Sequence, residues 1–576
     1  MANEPEEYEL VFIDSDDPEQ IGCATISKRS TIAKLRQQIQ SLLPLYARAS
    51  PTELALFQVD ISDEGDLDQK IEEKKKDLGS PLLPSRRLIR YYPSTPPEDA
   101  IHILVRCSAS PHDELLKRKR EDDEGPDAKR RKILESLKIA RSLAPSSASP
   151  KELFAHYKGK IDVNRPTADP ETIPISLLHE VFGKFLDSYQ THRPTAEENR
   201  LFNNLQEAML MEYRNEGDRA YKFKSLFSEE YGIKLEASLV SNTAYTTDGH
   251  LQIDGHPLII TEAKDDVTSS KAAAHLQAFA YYLQFIKKRK PEEVGRTPCF
   301  LVYYIGTNIG FAGAVVGMKP QFEPLTSNLS FEANHHDRRR LEPLVRALCA
   351  LQQGVKLLQD VYLPNENSLP PRGFMYPYRD FYTDGQCKVT FEYSRRLNPA
   401  KLFFQCVRKE DQMPLCVKFT LKYAKEAHQV CSDQGVAPKL YSVERLPGGW
   451  WMVVMEYLSE EEYTMRSSVD VDVVKFKEAI KGVVGFLHRS GFVHGDIRAC
   501  NIMIRREWDD GIGMRNVKLV DFDWAGKDGE ARYPANVNYE QIVRPKDARD
   551  GLPITKEHDL EMIETAVTNN EWTGRL

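Results

Sequence analysis

Short runs near the start of the chain alternate apolar and polar positions. YELVFI and CATIS read as strands, because side chains of period two line one face of a sheet. Thr31 to Leu43 switches to helical spacing, with Ile32, Leu35, Ile39 and Leu43 on one stripe and Ser30 as the expected N-cap. LALFQVD and IHILVR return to strand character. Two strands, a helix and further strands predict a β-grasp layer over residues 1–108.

Farther along, SLLHEVFGKFLDSY and ENRLFNNLQEAMLMEY carry helical stripes. HLQI and PLIITEAK are strand-length runs on either side of Asp254-Gly255, a pair suited to a tight hairpin turn. A long helix (SSKAAAHLQAFAYYLQFIKKRK), two strands (CFLVYYIG and FAGAVVG) and a closing helix (LEPLVRALCALQQGVKLLQDVY) complete an α/β domain over 133–364. Residues 365–386, rich in Pro, Gly and Tyr, read as a linker, and 387–576 as the last domain. Residues 109–132 are charged and aperiodic, with Gly125-Pro126 inside them, and read as a solvated linker.

The length of 576 residues fits about three to four domains. Hydrophobic residues at 41% and charged residues at 28% suit several buried cores. The net charge of -8 means that any nucleic-acid contact must come from local basic clusters. No apolar run approaches the roughly 18 residues needed to span a bilayer, so no membrane partner is expected. The nine cysteines are odd in number and none forms a CxxC pair. That argues against a disulfide framework or structural zinc and for reduced thiols in cytosol or nucleus. The opening MANEPEEYELVF is acidic, so a conventional secretory signal is not expected.

Two basic clusters stand in the first linker, Lys117-Arg118-Lys119-Arg120 and Lys129-Arg130-Arg131-Lys132. Their spacing is that of a bipartite nuclear import signal, in which two cation groups occupy two acidic grooves of a nuclear import carrier. The same residues also suit a solvated linker whose cations balance the neighbouring EDDE.

The hairpin TDGHLQIDGHPLIITEAK concentrates one set of chemical groups. A turn at 254–256 sets Asp248 opposite Glu262, and strand alternation puts Glu262 and Lys264 on one face. Two carboxylates can hold Mg²⁺ or Mn²⁺, which polarises a phosphodiester, while the lysine orients an attacking water. A turn shorter by one residue reverses the face of Asp248. Asp254 lies in the turn and is rejected as a ligand. The bland alternative is a solvated sheet edge.

This hairpin resembles the PD-(D/E)xK, restriction-endonuclease-like family, with Glu262-Ala263-Lys264 as its ExK element. Gln277 and Tyr281 on the next helix match the QxxxY feature of the RecB-like branch. The resemblance implies an acidic residue on the first helix as a further metal ligand, and Glu198 is the candidate.

HGDIRACNIMI (494–504) followed by VDFDWAG resembles a protein-kinase-type site. In that likeness Asp496 handles the proton of the attacking hydroxyl, and Asn501 and Asp521 hold Mg²⁺ against ATP. Lys418 in LCVKF matches the phosphate-contacting lysine, and Glu426 its ion-pair partner. MVVMEYL (452–458) matches the hinge strand. Cys387 to Lys418 contains no glycine, so the usual Gly-rich phosphate loop is missing, and Asp523 occupies the place of the DFG glycine.

LALFQVDI and PLLPSRRLIRYYPSTPPEDAIHILVR resemble the N-terminal domain of Crinkler effectors, and the nuclease-like and kinase-like modules follow in an order found in fungal Crinklers. The LxLFLAK-type motif of the oomycete N-terminal domains is absent. The fold class implied is multidomain α/β and α+β: a ubiquitin-like β-grasp domain at the N-terminus, a restriction-endonuclease-like α/β core and a bilobal protein-kinase-like domain.

The resemblance implies a nuclear effector, toxic to its target cell, that acts on DNA with Mg²⁺ and binds ATP. The nucleus could belong to a host cell reached by unconventional secretion, with cytoplasm in transit. One alternative is a kinase effector, with a protein substrate and a degenerate, DNA-binding nuclease fold. Another is a non-catalytic interaction scaffold.

Overall fold

The computed structural model describes residues 7–15, 21–42, 54–62, 67–75, 78–79, 81–84, 86–97, 100–107, 125–140, 143–163, 172–237, 246–264, 273–334, 336–362, 374–466, 472–539 and 542–568. Backbone contacts divide the chain into two compact units, Met1–Lys129 and Arg130–Leu576.

In the first unit β1 (Glu7–Asp14) and β2 (Ile21–Ser27) form an antiparallel hairpin, and α1 (Ile32–Leu42) follows. β3 (Leu54–Ser62), α2 (Leu67–Lys75) and β4 (Ala100–Cys107) complete it. The sheet order is β2-β1-β4-β3, with β1 and β4 parallel at the centre. Alternation puts Tyr8, Leu10 and Phe12 of β1 into one core with Ile32, Leu35 and Ile39 of α1. Each such fully buried side chain contributes roughly 1.5–3 kcal/mol. This is the ubiquitin-like β-grasp arrangement. At the helix start it is Thr31, not Ser30, whose hydroxyl accepts from the Lys34 amide, at 3.4 Å.

α3 (Pro126–Ile139) starts inside the stretch read as a linker, and from Arg130 on it belongs to the second unit. Arg130 is buried there, donating to the carbonyls of Gly317, Val294 and Gly295 at 2.7, 2.9 and 3.1 Å. The first basic cluster, Lys117 to Arg120, lies outside the described residues.

Five helices follow: α4 (Pro150–His156), α5 (Ile175–Leu178), α6 (Glu180–Thr191), α7 (Ala196–Met209) and α8 (Glu216–Tyr231). His179 adopts extended backbone and splits the single helix expected around it. β5 (Gly249–Ile253), β6 (His256–Lys264), α9 (Ala274–Lys288), β7 (Cys299–Ile305), β8 (Asn308–Val316), β9 (Pro320–Pro324), β10 (Leu329–Ser330) and α10 (Glu342–Tyr362) complete this module. Its sheet runs β10-β8-β7-β6-β5, with β9 also on β8 and β6 parallel to β7. α9 packs in one apolar cluster with Ile260 and Leu301, whereas α6, α8 and α10 share the other with Ile259, Phe300 and Val302. The result is an α/β/α sandwich.

The kinase-like module begins with β11 (Phe381–Asp384), within the second expected linker. β12 (Cys387–Arg396), β13 (Phe403–Arg408), β14 (Pro414–Thr420), α11 (Lys425–Asp433), β15 (Leu440–Arg445) and β16 (Trp451–Glu456) form its first lobe. The strands run β11-β12-β13-β14-β16-β15. The second lobe comprises β17 (Tyr463–Met465), α12 (Val473–Arg489), β18 (Phe492–Val493), β19 (Ile502–Arg505), β20 (Val517–Leu519), β21 (Gly526–Lys527) and α13 (Lys556–Thr568).

The first lobe and the α/β/α sandwich share one continuous apolar cluster, which holds Phe182, Phe185 and Leu348 together with Phe404, Val417 and Met452. The Trp450 indole donates to Ser176 Oγ at 3.0 Å, the Gly448 amide to Asp187 Oδ1 at 3.0 Å, and the Tyr378 amide to the Leu177 carbonyl at 2.7 Å. Among the described residues no helix is long and apolar enough to cross a membrane, and no cysteine forms a disulfide.

Candidate functional site

Asp254 and Gly255 both have positive φ, 49° and 73°, and make a two-residue turn between Ile253 and His256. That turn alone would set Asp248 opposite Thr261. A bulge between Leu251 and Gln252 changes the count, since Leu251 pairs with Ile259 and Gln252 with Pro257. Gly249 therefore meets Thr261, and Asp248 stands opposite Glu262. The register expected from a three-residue turn is reached by a shorter turn plus a bulge.

The strand ends meet the N-terminus of α8. Glu216 on that helix, Asp248 and Glu262 each offer a carboxylate oxygen within 4.8 Å of the others. Lys264 Nζ lies 2.9 Å from Glu262 Oε1 and 3.1 Å from Glu216 Oε1. Asp248 Oδ2 accepts from the Ala263 amide at 2.8 Å, which fixes its direction.

Glu262 is 1% exposed, and its Oε2 has no hydrogen-bond partner. Burial, reinforced by the Asp248 charge and opposed by Lys264, pushes its pKa up to about 8. For Lys264, burial acts downward, yet Glu262 and Glu216 outweigh it and raise its pKa. Three hard oxygen donors around one unpaired buried oxygen fit a divalent cation such as Mg²⁺ or Mn²⁺.

Gln277 and Tyr281 face this site from α9. Tyr281 donates to the Thr246 carbonyl at 2.7 Å, and Gln277 hydrogen-bonds the same phenol. The pair thus steadies the segment leading to Asp248 instead of offering ligand atoms. Lys224, two turns along α8 from Glu216, lies beside Asp248 and was not picked out from the sequence.

Glu198 is not part of this cluster. It closes the capping box of α7, accepting from the Thr195 amide at 2.7 Å, and pairs with His192 at 3.0 Å. The acidic residue that a helix brings to this cluster is Glu216, at the start of α8.

In the kinase-like module Lys418 Nζ sits on β14, 2.6 Å from Asp521 Oδ1 and 2.7 Å from Asp523 Oδ1. Thr420 donates to the other oxygen of Asp523 at 3.2 Å. Glu426 is exposed in the first turn of α11 and makes no ion pair with Lys418. The helix instead turns His428 inward, stacked on Phe522 at 4.7 Å, and Phe522 meets the edge of His494 at 5.3 Å. The carboxylate expected from α11 is supplied by Asp523, the residue in place of the DFG glycine.

Asp521 is held in the left-handed region (φ 68°), a strained conformation typical of functional sites. Burial alone would raise its pKa, but Lys418 and Lys401 (2.8 Å) hold it well below the carboxylate range. Asp523 is pushed up by burial, with the Asp521 charge adding to it.

The loop that carries Asp496 and Asn501 hangs from α13. Asp559, fully buried, accepts from the His494 and Gly495 amides at 2.8 and 2.7 Å. Asn501 Nδ2 donates to Asp496 Oδ2 at 2.7 Å. The same carboxylate is forked by Arg498 at 2.8 Å and touched by Arg544 Nη2 at 2.9 Å. Burial would raise the Asp496 pKa, yet the two guanidiniums lower it. Asp559, Asp523, Arg498, Arg544 and Lys401 were not read from the sequence as site residues.

Residues 10–106 match the Crinkler effector protein N-terminal domain, so the first unit carries a Crinkler-type β-grasp domain. No curated protein matches the sequence. Among solved structures, the kinase PK-1 of the Cydia pomonella granulovirus is similar at 14% identity and a TM-score of 0.26, over 31% of this chain and 67% of that one. Vaccinia related kinase 3 is similar at 14% identity and a TM-score of 0.25, over 34% of this chain and 68% of that one. The kinase-like fold rests on the strand order and loop geometry described above, not on these scores.

Proposed function

We propose that this Crinkler-type chain is a divalent-metal-dependent DNA nuclease joined to an ATP-binding kinase-like module. One observation carries the reading. Glu216, Asp248 and Glu262 converge within 4.8 Å beside Lys264, around a buried carboxylate oxygen that has no partner. Those three carboxylates would hold the cation. When bound, it polarises a phosphodiester and makes a water more acidic. Lys264, pinned between Glu262 and Glu216, presents fixed positive charge toward an oxygen that gains negative charge. Gln277 and Tyr281 keep Asp248 oriented through the Thr246 carbonyl.

The kinase-like module keeps Lys418, Asn501 and Asp521, the groups that would meet ATP and its metal. Phosphoryl transfer to a protein is the second reading, since Asp496 and Asn501 keep the loop spacing of a phosphotransfer site. In this structure, however, the Asp496 carboxylate is occupied by Arg498 and Arg544, so the nuclease is the leading activity. Delivery to a nucleus would rest on the bipartite spacing of Lys117 to Arg120 and Lys129 to Lys132, and in the second cluster Arg130 is buried and Arg131 is paired with Glu135 at 2.9 Å.

Plasmid cleavage with Mg²⁺ or Mn²⁺ tests the leading reading. Wild type is expected to cut, while Glu262→Gln and Lys264→Ala are expected to fall to background. Equal cutting by all three, or none by wild type with either metal, overturns it. Effector toxicity that survives Glu262→Gln but not Asp496→Asn favours the kinase reading.

A further inference from the structure

The loop between β12 and β13, residues 397–402, occupies the place where a protein kinase carries its glycine-rich phosphate loop. In such a loop, backbone amides with no other partner point at the nucleotide phosphates. Here two amides at the tip are already used. The Ala400 amide donates to Asn398 Oδ1 at 2.8 Å, and the Lys401 amide to the Asn398 carbonyl at 3.2 Å. The Lys401 carbonyl accepts from Arg396 Nε at 2.9 Å. The turn is closed on itself, and its one cationic side chain is Lys401.

That side chain reaches into the site. Leu402 accepts from the Phe419 amide at 2.9 Å, and Phe403 pairs with Lys418, so the loop ends beside the strand that bears the central lysine. Lys401 Nζ and Lys418 Nζ then grip the two oxygens of a single carboxylate, Asp521, at 2.8 and 2.6 Å. The two lysines differ in access. The Lys401 side chain is 49% exposed and that of Lys418 9%. Lys418 keeps Asp523 as a second partner, whereas among the described residues the Lys401 ammonium has one ion-pair contact, with Asp521. Asp521 is also the residue in place to hold the metal of a metal–nucleotide complex. A divalent cation competes directly for the carboxylate that restrains Lys401, and the ammonium then faces the phosphates beside it.

We infer that Lys401 is a nucleotide-phosphate ligand, doing with a side-chain ammonium what a glycine-rich loop does with backbone amides. This rests on the reading that the kinase-like module binds ATP. The residue contacts the phosphates, not adenine, so its contribution is confined to the charged end of the nucleotide.

The test is equilibrium binding of MgATP, MgADP and adenosine to the full chain, by calorimetry, for wild type, Lys401→Met and Lys401→Arg. Lys401→Met is expected to weaken MgATP by about 10–100-fold, the range of a charge-assisted hydrogen bond, and to leave adenosine unchanged. Lys401→Arg keeps the charge and is expected to stay within about threefold of wild type. Equal MgATP affinity for wild type and Lys401→Met overturns the inference while leaving the ATP reading intact. Equal weakening of adenosine overturns it too, because the lysine would then be structural. Absence of MgATP binding by wild type overturns the ATP reading itself and this inference with it.

Discussion

Gly183 of α6 packs so closely under Pro447 that a methyl group on it would sit 2.6 Å from the Pro447 carbonyl oxygen. Gly448, the next residue, has φ 82°, and a methyl group there would in turn meet the Gly183 Cα at 3.1 Å. Two glycines thus let the β15–β16 loop of the kinase-like lobe lie on a helix of the α/β/α sandwich. Gly183→Ala is expected to destabilise the chain by about 1–3 kcal/mol, the usual cost of forcing extra volume into a packed joint. Denaturant unfolding measures it, and an unchanged midpoint would show that the joint adds nothing.

Glu216 offers the third oxygen of the acidic cluster. Glu216→Gln should weaken Mn²⁺ binding by at least the roughly 10–100-fold typical of losing an outer-shell partner. Glu198→Gln should leave Mn²⁺ affinity unchanged, since Glu198 caps a different helix. Electron paramagnetic resonance titration separates the two, and the reverse order of effects would reinstate Glu198 as the ligand.

Asp496 is buried with two guanidiniums on its carboxylate. Arg544→Ala should cost about 1–3 kcal/mol of stability, because Arg498 and Asn501 still hold the charge. Removing both arginines leaves a buried, cation-free carboxylate and should cost about 3–5 kcal/mol. Urea unfolding of the single and double variants checks this, and a double variant no worse than Arg544→Ala rules it out.

His428 is buried and neutral. Its Nε2 pairs with the Pro438 carbonyl at 2.8 Å, so Nδ1 accepts from the Tyr423 hydroxyl at 2.6 Å. Burial lowers its pKa from 6.5 to about 4, although the Pro438 carbonyl pulls the other way. The unfolded chain therefore binds this proton first as pH falls. Stability is complete above about pH 6.5 and declines toward pH 4, by up to about 3 kcal/mol from this residue. His179, lowered by burial to about 3, acts in the same sense. Unfolding midpoints measured across that range should drop on acidification, and a flat profile would exclude buried neutral histidines.

The sequence carried the local part of this architecture. Period-two runs marked β1 to β4, and the Asp254-Gly255 turn marked the hairpin bearing Asp248 and Glu262. It carried less where a residue's task depends on distant packing. Thr195-x-x-Glu198 spells a capping box, and that local signal explains Glu198 better than the metal-ligand role expected of it. The N-terminal half of α8 is charged, which weakens its helical stripe in the sequence. Its buried stripe of Ala220, Phe223, Phe227 and Tyr231, the Asn215 cap and the Gly232 stop were nevertheless present. Glu426 was matched by order along the chain, whereas Lys418 takes its counter-charge from Asp523, about a hundred residues farther on. Nothing local announces the Gly183–Gly448 contact, which joins residues of separate modules.

The hairpin's extra residue lies within β6, not in the turn. Pairing Leu258 into the ladder as an ordinary residue would leave the Asp254-Gly255 corner intact, yet shift the partner strand by one step. Asp248 would then face Thr261, and its carboxylate would lie on the far side of the sheet from Glu262. The acidic centre is therefore held by a parity: so long as one amino acid of β6 stays outside the pairing, corner and cluster agree, and pairing it exchanges inside for outside while the ribbon itself survives.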